Sequence, residues 1–386
     1  MLNYADWELT PEQQMIQSVV REFVEQEALP LMPACFEEAR FPRELIPRYR
    51  ELGLLGATNP EYGAGVDAMS YGLICQELER GDTALRAFMS VQSSLVMYPI
   101  WKYGSEEQKR RYLPGMQQGE IIGCFGLTEP DHGSEPAAME TRAVRDGNGS
   151  WILNGTKMWI TNGGLSDVAL VWAKVREDED QVVHGFLVDR DRAGFAVNDI
   201  RHRLAMRASV TSELVFQDCR VPGDAVLPNV RGMRGPLSAI GESRFGVAFG
   251  AVGAAMACYE TALEYAGVRE QWGRPIAGFQ LIQERLVDAL QGITQGQLLA
   301  YQIARLKDQG RMRPIQASLA KRANCAMALD VARSMRSVLG GNGISLEYPI
   351  IRHMANLEAT YTYEGTHEIQ TLVIGADITG LDALRG

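Results

Sequence analysis

Tyr363-Glu364-Gly365-Thr366-His367-Glu368 sets a carboxylate just before a glycine and a helix-start threonine. Ile369, Leu372, Val373 and Ile374 then supply the apolar positions of a last helix. Taken alone, Glu364 reads as an acid that complements a helix dipole. In an apolar, aromatic setting it becomes a base: burial lifts its pKa toward neutral and nearby backbone amides lower it.

Other groups offer binding chemistry. Cys124 to Pro136 is turn-rich, and its backbone amides with Thr128 and Ser134 can meet the polar edge of a flat heteroaromatic ring or phosphate oxygens. In Trp159-Ile160-Thr161-Asn162, a strand would point the indole face and the Thr161 hydroxyl the same way. Arg269-Glu270-Gln271-Trp272-Gly273-Arg274-Pro275, followed by Phe279-Gln280, offers arginines suited to a diphosphate. Leu339-Gly340-Gly341-Asn342-Gly343 lets backbone approach a ligand or simply ends a helix. No GxGxxG follows an N-terminal strand, so a Rossmann nucleotide site is not indicated.

Three blocks must position these groups. Thr10-Pro11-Glu12-Gln13 is a capping box with proline at the first helical position, and Met15 to Val24 carries a helical stripe. Tyr71 to Glu79 and Ala84 to Tyr98 continue the helical texture, interrupted near Gly81-Asp82, and Ser105-Glu106-Glu107-Gln108 starts another helix. From Trp151 to Val221, short apolar runs broken by Gly, Asn and Asp predict an antiparallel sheet. Gly250 to Tyr265, Gln280 to Asp308 and Ile315 to Leu339 read as a helical bundle. The expected class is α+β, mainly α. The expected domains are a helical one over 1–123, a central antiparallel β one over 124–232 and a four-helix bundle over 233–386.

A net charge of −10 argues against nucleic acid as the main partner. No long apolar run predicts a membrane span, and Met1-Leu2-Asn3-Tyr4 lacks the features of a signal peptide. The six cysteines lie far apart with no CxxC pair, which argues against a zinc site or a disulfide framework. A reducing, cytoplasmic setting is expected. The five histidines form no metal set.

In one order, ELER at 77–80, MSVQSSLVM at 89–97, GCFGLTEP at 123–130, METRA at 139–143, WITN at 159–162, LGGNGIS at 339–345, NLEA at 356–359 and TYEGTHEI at 362–369 form a specific pattern. With these strings the chain resembles the acyl-CoA dehydrogenases over almost its full length, most of all their glutaryl-CoA branch.

The resemblance implies FAD bound between sheet and bundle, with Phe125, Leu127 and Thr128 on one side of the flavin ring and Trp159 and Thr161 on the other. Gly133 and Ser134 would lie near the flavin phosphates or the thioester. Arg269, Trp272, Gln280, Leu339, Gly340, Gly341 and Asn342 would reach the FAD of a neighbouring subunit in a homotetramer, and Thr366 and Glu368 would join the cofactor site. Glu364 would be the catalytic base for α,β-dehydrogenation of an acyl-CoA, with electrons passed to an electron-transfer flavoprotein.

Glu79, Arg86, Ser90, Ser134, Arg244 and Tyr363 would contact substrate. Arg86, with Glu79 beside it, would hold a distal carboxylate, and decarboxylation could follow. Glu79 and Arg86 share one helix face if the helix runs past Gly81; an ordinary surface ion pair is the plainer reading. Ala87 and Phe88, with Ala84-Leu85, remove a hydroxyl and add bulk near that carboxylate. Gly241 stands where an Asn or Asp would face the pantetheine arm. A carrier-protein thioester or another short acyl thioester is the alternative substrate.

Overall fold

The structure, a computed structural model, describes residues 9–175 and 182–383. The reading of the Met1–Tyr4 start lies outside them.

Both expected helix starts form. Thr10 accepts from Gln13 N–H and Gln13 reaches back, opening α1 (Pro11–Phe23). Short helices α2 (Met32–Glu38) and α3 (Ile46–Glu51) follow. Next come α4 (Ala68–Gly81) and α5 (Thr83–Ser90). A π-helical stretch over Val91–Met97 joins α5 to α6 (Tyr98–Tyr103), so the predicted Ala84–Tyr98 helix widens midway. Ser105 and Gln108 form the second capping box at the start of α7 (Glu106–Gln117).

The helix does not run through Gly81. Asp82 is extended (φ −167°, ψ 145°), ends α4 and caps α5 by accepting from Ala84 N–H at 2.8 Å. Fully buried, it also takes Arg352 Nε at 2.7 Å and Asn356 Nδ2 at 3.1 Å. The break is thus fixed by partners some 270 residues away along the chain.

The sheet holds β1 (Gly123–Gly126), β2 (Arg142–Arg145), β3 (Trp151–Thr161), β4 (Val168–Val175), β5 (Val182–Asp189), β6 (Phe195–Asp199) and β7 (Thr211–Val221). Its order is β1-β4-β2-β3-β7-β6, with β5 beside β4. The hairpin pairings β2–β3, β4–β5 and β6–β7, together with β3–β7, are antiparallel as expected. β4 also pairs in parallel with β1 and β2, which periodicity could not signal. Buried Trp172 of β4 packs near Phe125 and Gly235 and ties the sheet to the bundle.

The bundle is α8 (Arg234–Val268), α9 (Gln280–Asp308), α10 (Pro314–Val338), α11 (Ile350–Thr362) and α12 (His367–Thr379). A small hairpin, β8 (Glu270–Gln271) and β9 (Arg274–Pro275), projects between α8 and α9. Among the described residues, α8 alone is long and apolar enough to cross a membrane. Its Ala- and Gly-rich surface is instead buried within the protein. All six cysteines are free and buried.

His353 of α11 is fully buried, and its imidazole is pushed down to about 3, first by burial and then by the charges of Arg352 and Arg80. The folded chain holds it neutral where the unfolded chain takes up a proton. Its contribution to stability is complete above about 6.5 and is lost as pH falls toward about 3. The loss approaches roughly 1.4 kcal/mol per pH unit. Unfolding free energies measured from neutral pH downward should fall more steeply in the wild type than in His353→Leu. Parallel curves would refute this.

Candidate functional site

Glu364 lies in the turn between α11 and α12, with a left-handed backbone (φ +55°) uncommon for a side-chain-bearing residue. The turn is held by its carbonyls. Arg244 Nε donates to Glu364 O at 2.7 Å. Lys321 Nζ donates to Tyr363 O and Gly365 O, both at 2.8 Å. Gln370 Nε2 donates to Glu364 O at 3.1 Å. Gly365 is required: at φ +93°, an added Cβ would collide with Gln370 Nε2. Thr366 caps α12 by accepting from Ile369 N–H.

The carboxylate has two unlike oxygens. Oε1 accepts from Ser243 Oγ at 2.6 Å, whereas Oε2 is buried without a partner. Burial raises the carboxyl pKa; the Ser243 hydrogen bond and the charges of Arg86, Arg244 and Lys321 pull it back. No group among the described residues accepts from the Glu364 backbone N–H. A buried carboxylate oxygen without a partner and a free N–H donor thus share one residue.

Next to it, Tyr363 Oη pairs with Arg86 Nη2 and donates to Thr360 Oγ1 at 3.1 Å. Arg86 Nε donates to Glu79 Oε2 at 2.6 Å, and Thr83 Oγ1 donates to Glu79 Oε1 at 3.0 Å. Arg86 is 1% and Glu79 0% exposed, so this is no surface ion pair, and it spans the break at Asp82 rather than one helix face. Burial opposes ionisation of both groups, and each partner supports the other's charge. Gly250 of α8 makes room, since a Cβ there would strike Glu79 Oε2.

The expected bulk beside a distal carboxylate does not materialise. Leu85 and Phe88 turn into the N-terminal core, where Phe88 stacks on Phe41 (centroids 4.5 Å apart). Ser90, 1% exposed, lies behind Ser243, their hydroxyls 3.0 Å apart.

A second cluster forms at the helix–sheet junction. Strand alternation breaks at Trp159, which takes φ +63° at a bulge between Lys157 and Ile160. Its indole is therefore thrown outward, 59% exposed, rather than aligned with Thr161 by simple pleating. Phe125 and Leu127 are buried, Phe125 edge-on to Trp172. Met158 N–H donates to Thr128 O at 2.8 Å, bringing the 127–136 loop onto β3. The hydroxyls of Thr128, Ser134 and Thr161 have no partner among the described residues, and Ser134 and Gly133 are exposed. Asn162 Nδ2 reaches Phe88 O at 3.5 Å, linking β3 to the helix that carries Arg86.

Sequence reasoning missed the clamp under this loop. Lys157, fully buried, donates to Leu127 O at 3.0 Å and Glu129 Oε1 at 2.8 Å. Burial works to raise the Glu129 carboxyl. Lys157 and the Glu140 and Thr141 N–H groups outweigh it and hold the pKa at about 2. A lysine interrupting an apolar strand pattern was the available signal. Removing one member of a buried pair costs on the order of 3–5 kcal/mol. Lys157→Met is expected to lose about that much in chemical denaturation; a loss below ~1 kcal/mol would place the pair among surface-like bridges.

Arg269 and Trp272 sit on the exposed hairpin, with Gln280 at the start of α9. Asn342 Nδ2 donates to Tyr265 Oη at 3.1 Å, which sets Leu339–Asn342 against the same end of α8. The 35 residues of α8 span about 52 Å, and Ser243, Arg244 and Glu364 lie toward its other end. His367 stacks on Tyr361 (centroids 4.4 Å apart), and Glu368 is exposed.

Three family models match in tandem: acyl-CoA dehydrogenase N-terminal domain over residues 10–120, middle domain over 124–219 and C-terminal domain over 230–379. The short-chain specific acyl-CoA dehydrogenase of Bos taurus mitochondria is 35% identical over 97% of this chain and 92% of its own length. The crystal structure of a glutaryl-CoA dehydrogenase from Mycobacterium smegmatis in complex with FADH2 superposes with a TM-score of 0.96. It is 48% identical over 99% of this chain and 98% of that one. Butyryl-CoA dehydrogenase from Megasphaera elsdenii superposes at 0.91, with 33% identity over 96% and 98%.

Proposed function

The chain belongs to the acyl-CoA dehydrogenase family and uses FAD, and from that premise we propose that it oxidises the α,β-bond of an acyl-CoA carrying a distal carboxylate, of the glutaryl type.

The donor set fits the cofactor. An outward indole at Trp159 and the free hydroxyls of Thr128 and Thr161 suit the face and polar edge of a flavin ring, with Phe125 and Leu127 alongside. Gly133 and Ser134 are assigned to its phosphates or the thioester. Gly340 and Gly341, which have open space where a Cβ would stand, are assigned with Arg269, Trp272, Gln280, Leu339 and Asn342 to the diphosphate and adenosine of a neighbouring subunit's FAD. Thr366 and Glu368 complete that set. The length of α8 supports the division between subunits. So do Val268, Trp272, Leu281 and Val287, apolar side chains left facing water at that end. A homotetramer, an electron-transfer flavoprotein as acceptor and a cytoplasmic location belong to the same proposal.

Bound FAD supplies the acceptor for the hydride leaving the β-carbon. Glu364 Oε2 takes the α-proton, and the Glu364 N–H stabilises charge developing on the thioester oxygen. Arg86, braced by Glu79 and Tyr363, holds the distal carboxylate. If CO2 is then lost, Glu364 returns the proton to the remaining carbanion.

The observation that carries the acidic substrate is the buried charge balance: Arg86, Arg244 and Lys321 meet two buried carboxylates, Glu79 and Glu364, with Glu368 acting on Lys321 from the exposed edge, which leaves buried positive charge for another anion. A screen of glutaryl-, butyryl- and carrier-bound thioesters for flavin bleaching, with product masses, tests it. Glutaryl-CoA should bleach fastest. Preference for butyryl-CoA would favour the second reading, a short monocarboxylic acyl thioester, which the 35% identity to a short-chain enzyme and the open space beside Gly241 support.

A further inference from the structure

The two oxygens of Glu364 are chemically distinct before any substrate arrives, and one serine makes them so. Ser243 is 0% exposed on α8, and its hydroxyl meets Oε1 at 2.6 Å. The next residue, Arg244, holds the Glu364 carbonyl at 2.7 Å. One turn of α8 therefore fixes both the main chain and the side chain of the acid.

A hydroxyl carries one hydrogen. If Ser243 gives it to Glu364, Ser243 can only accept from Ser90, 3.0 Å behind it and also buried. Placing a proton on Oε1 would require both hydroxyls to reverse. Oε2, buried with no partner, needs no such rearrangement. We propose that Ser243, backed by Ser90, is the positioning residue that locks Oε1 and directs the substrate proton to Oε2, keeping Glu364 ionised until then. This deepens the functional reading and rests on Glu364 being the base.

Other groups face this carboxylate. Arg86 from α5, Arg244 from α8 and Lys321 from α10 favour its charge. Glu79 from α4 and Glu368 from α12 act on these cations, on Arg86 and Lys321 respectively. The groups that feel the Glu364 charge but stay neutral are the thiols of Cys75 and Cys325, pushed by burial to about 12, and the Tyr363 phenol, also pushed up by burial. Among these, Ser243 alone donates a hydrogen bond to the carboxylate, so its loss has a signature the distant charges do not share.

The test uses flavin-loaded Ser243→Ala, Ser243→Thr, Ser90→Ala and Glu364→Gln. Two readouts are followed: the pH profile of kcat/KM on the fastest acyl thioester, and the substrate-free titration of the Glu364 carboxyl by infrared difference spectroscopy. A lost hydrogen bond to a charged group predicts that the acid limb and the infrared midpoint of Ser243→Ala both move up by about one pH unit. Ser243→Thr should restore them, and Ser90→Ala should move them by less. Coincident wild-type and Ser243→Ala curves, with Glu364→Gln inactive, overturn this proposal alone. Normal turnover by Glu364→Gln overturns the base assignment and this proposal with it. Should Ser243→Ala not fold, an infrared midpoint in Ser90→Ala equal to wild type also overturns the proposal, and an upward shift supports it.

Discussion

Glu364→Gln is expected to keep its flavin and lose thioester-dependent bleaching, with turnover down on the order of 10²–10⁴-fold. The substitution preserves size, and the amide oxygen can still accept from Ser243. The turn survives because Arg244, Lys321 and Gln370 grip backbone carbonyls, which the mutation leaves alone. Only the proton acceptor disappears, since an amide does not take up a proton near neutral pH. Stopped-flow absorbance of the flavin, with flavin content as control, measures it. Turnover within a few-fold of wild type would show that another group removes the proton.

The second large effect is at Arg86. Arg86→Met leaves Glu79 buried with only the Thr83 hydroxyl, and burial already pushes its carboxyl up. Glu79 should then take a proton, and unfolding free energy should fall by about 3–5 kcal/mol. Selectivity should respond separately. A hydrogen bond to a charged group is worth about 1.5–3 kcal/mol, so kcat/KM on glutaryl-CoA relative to butyryl-CoA should drop roughly 10–100-fold. Measuring both thioesters separates the roles. An equal loss on each would make Arg86 a structural cation and return the substrate to the short monocarboxylic class.

Local signals in the chain were read correctly where the physics is local. Thr10 and Ser105 with their glutamines started helices because capping needs only residues three apart. The bounds of α9 followed from Gln280 and Asp308 because a long amphipathic pattern has one stable partner geometry. The resemblance rested on ordered strings, and the family models match that same order.

What escaped were interactions between residues far apart along the chain. The interruption near Gly81-Asp82 was legible, but not that Arg352 and Asn356 close on Asp82 and fix it. Trp159 looked like a pleated strand residue until the bulge against β7 turned it outward. Glu129 and Lys157 showed no spacing that meant a clamp.

The amino-acid order alone therefore determined the three-block architecture and the flavoprotein family, and singled out Glu364 as the candidate acid, since these depend on side-chain type and short spacing. Only the tertiary structure decided which oxygen of that acid stays free, which partners hold the helix break at Asp82, and that the Glu79–Arg86 pair is buried. Those depend on contacts such as Ser243 to Glu364, 121 residues apart, which no period in the sequence encodes.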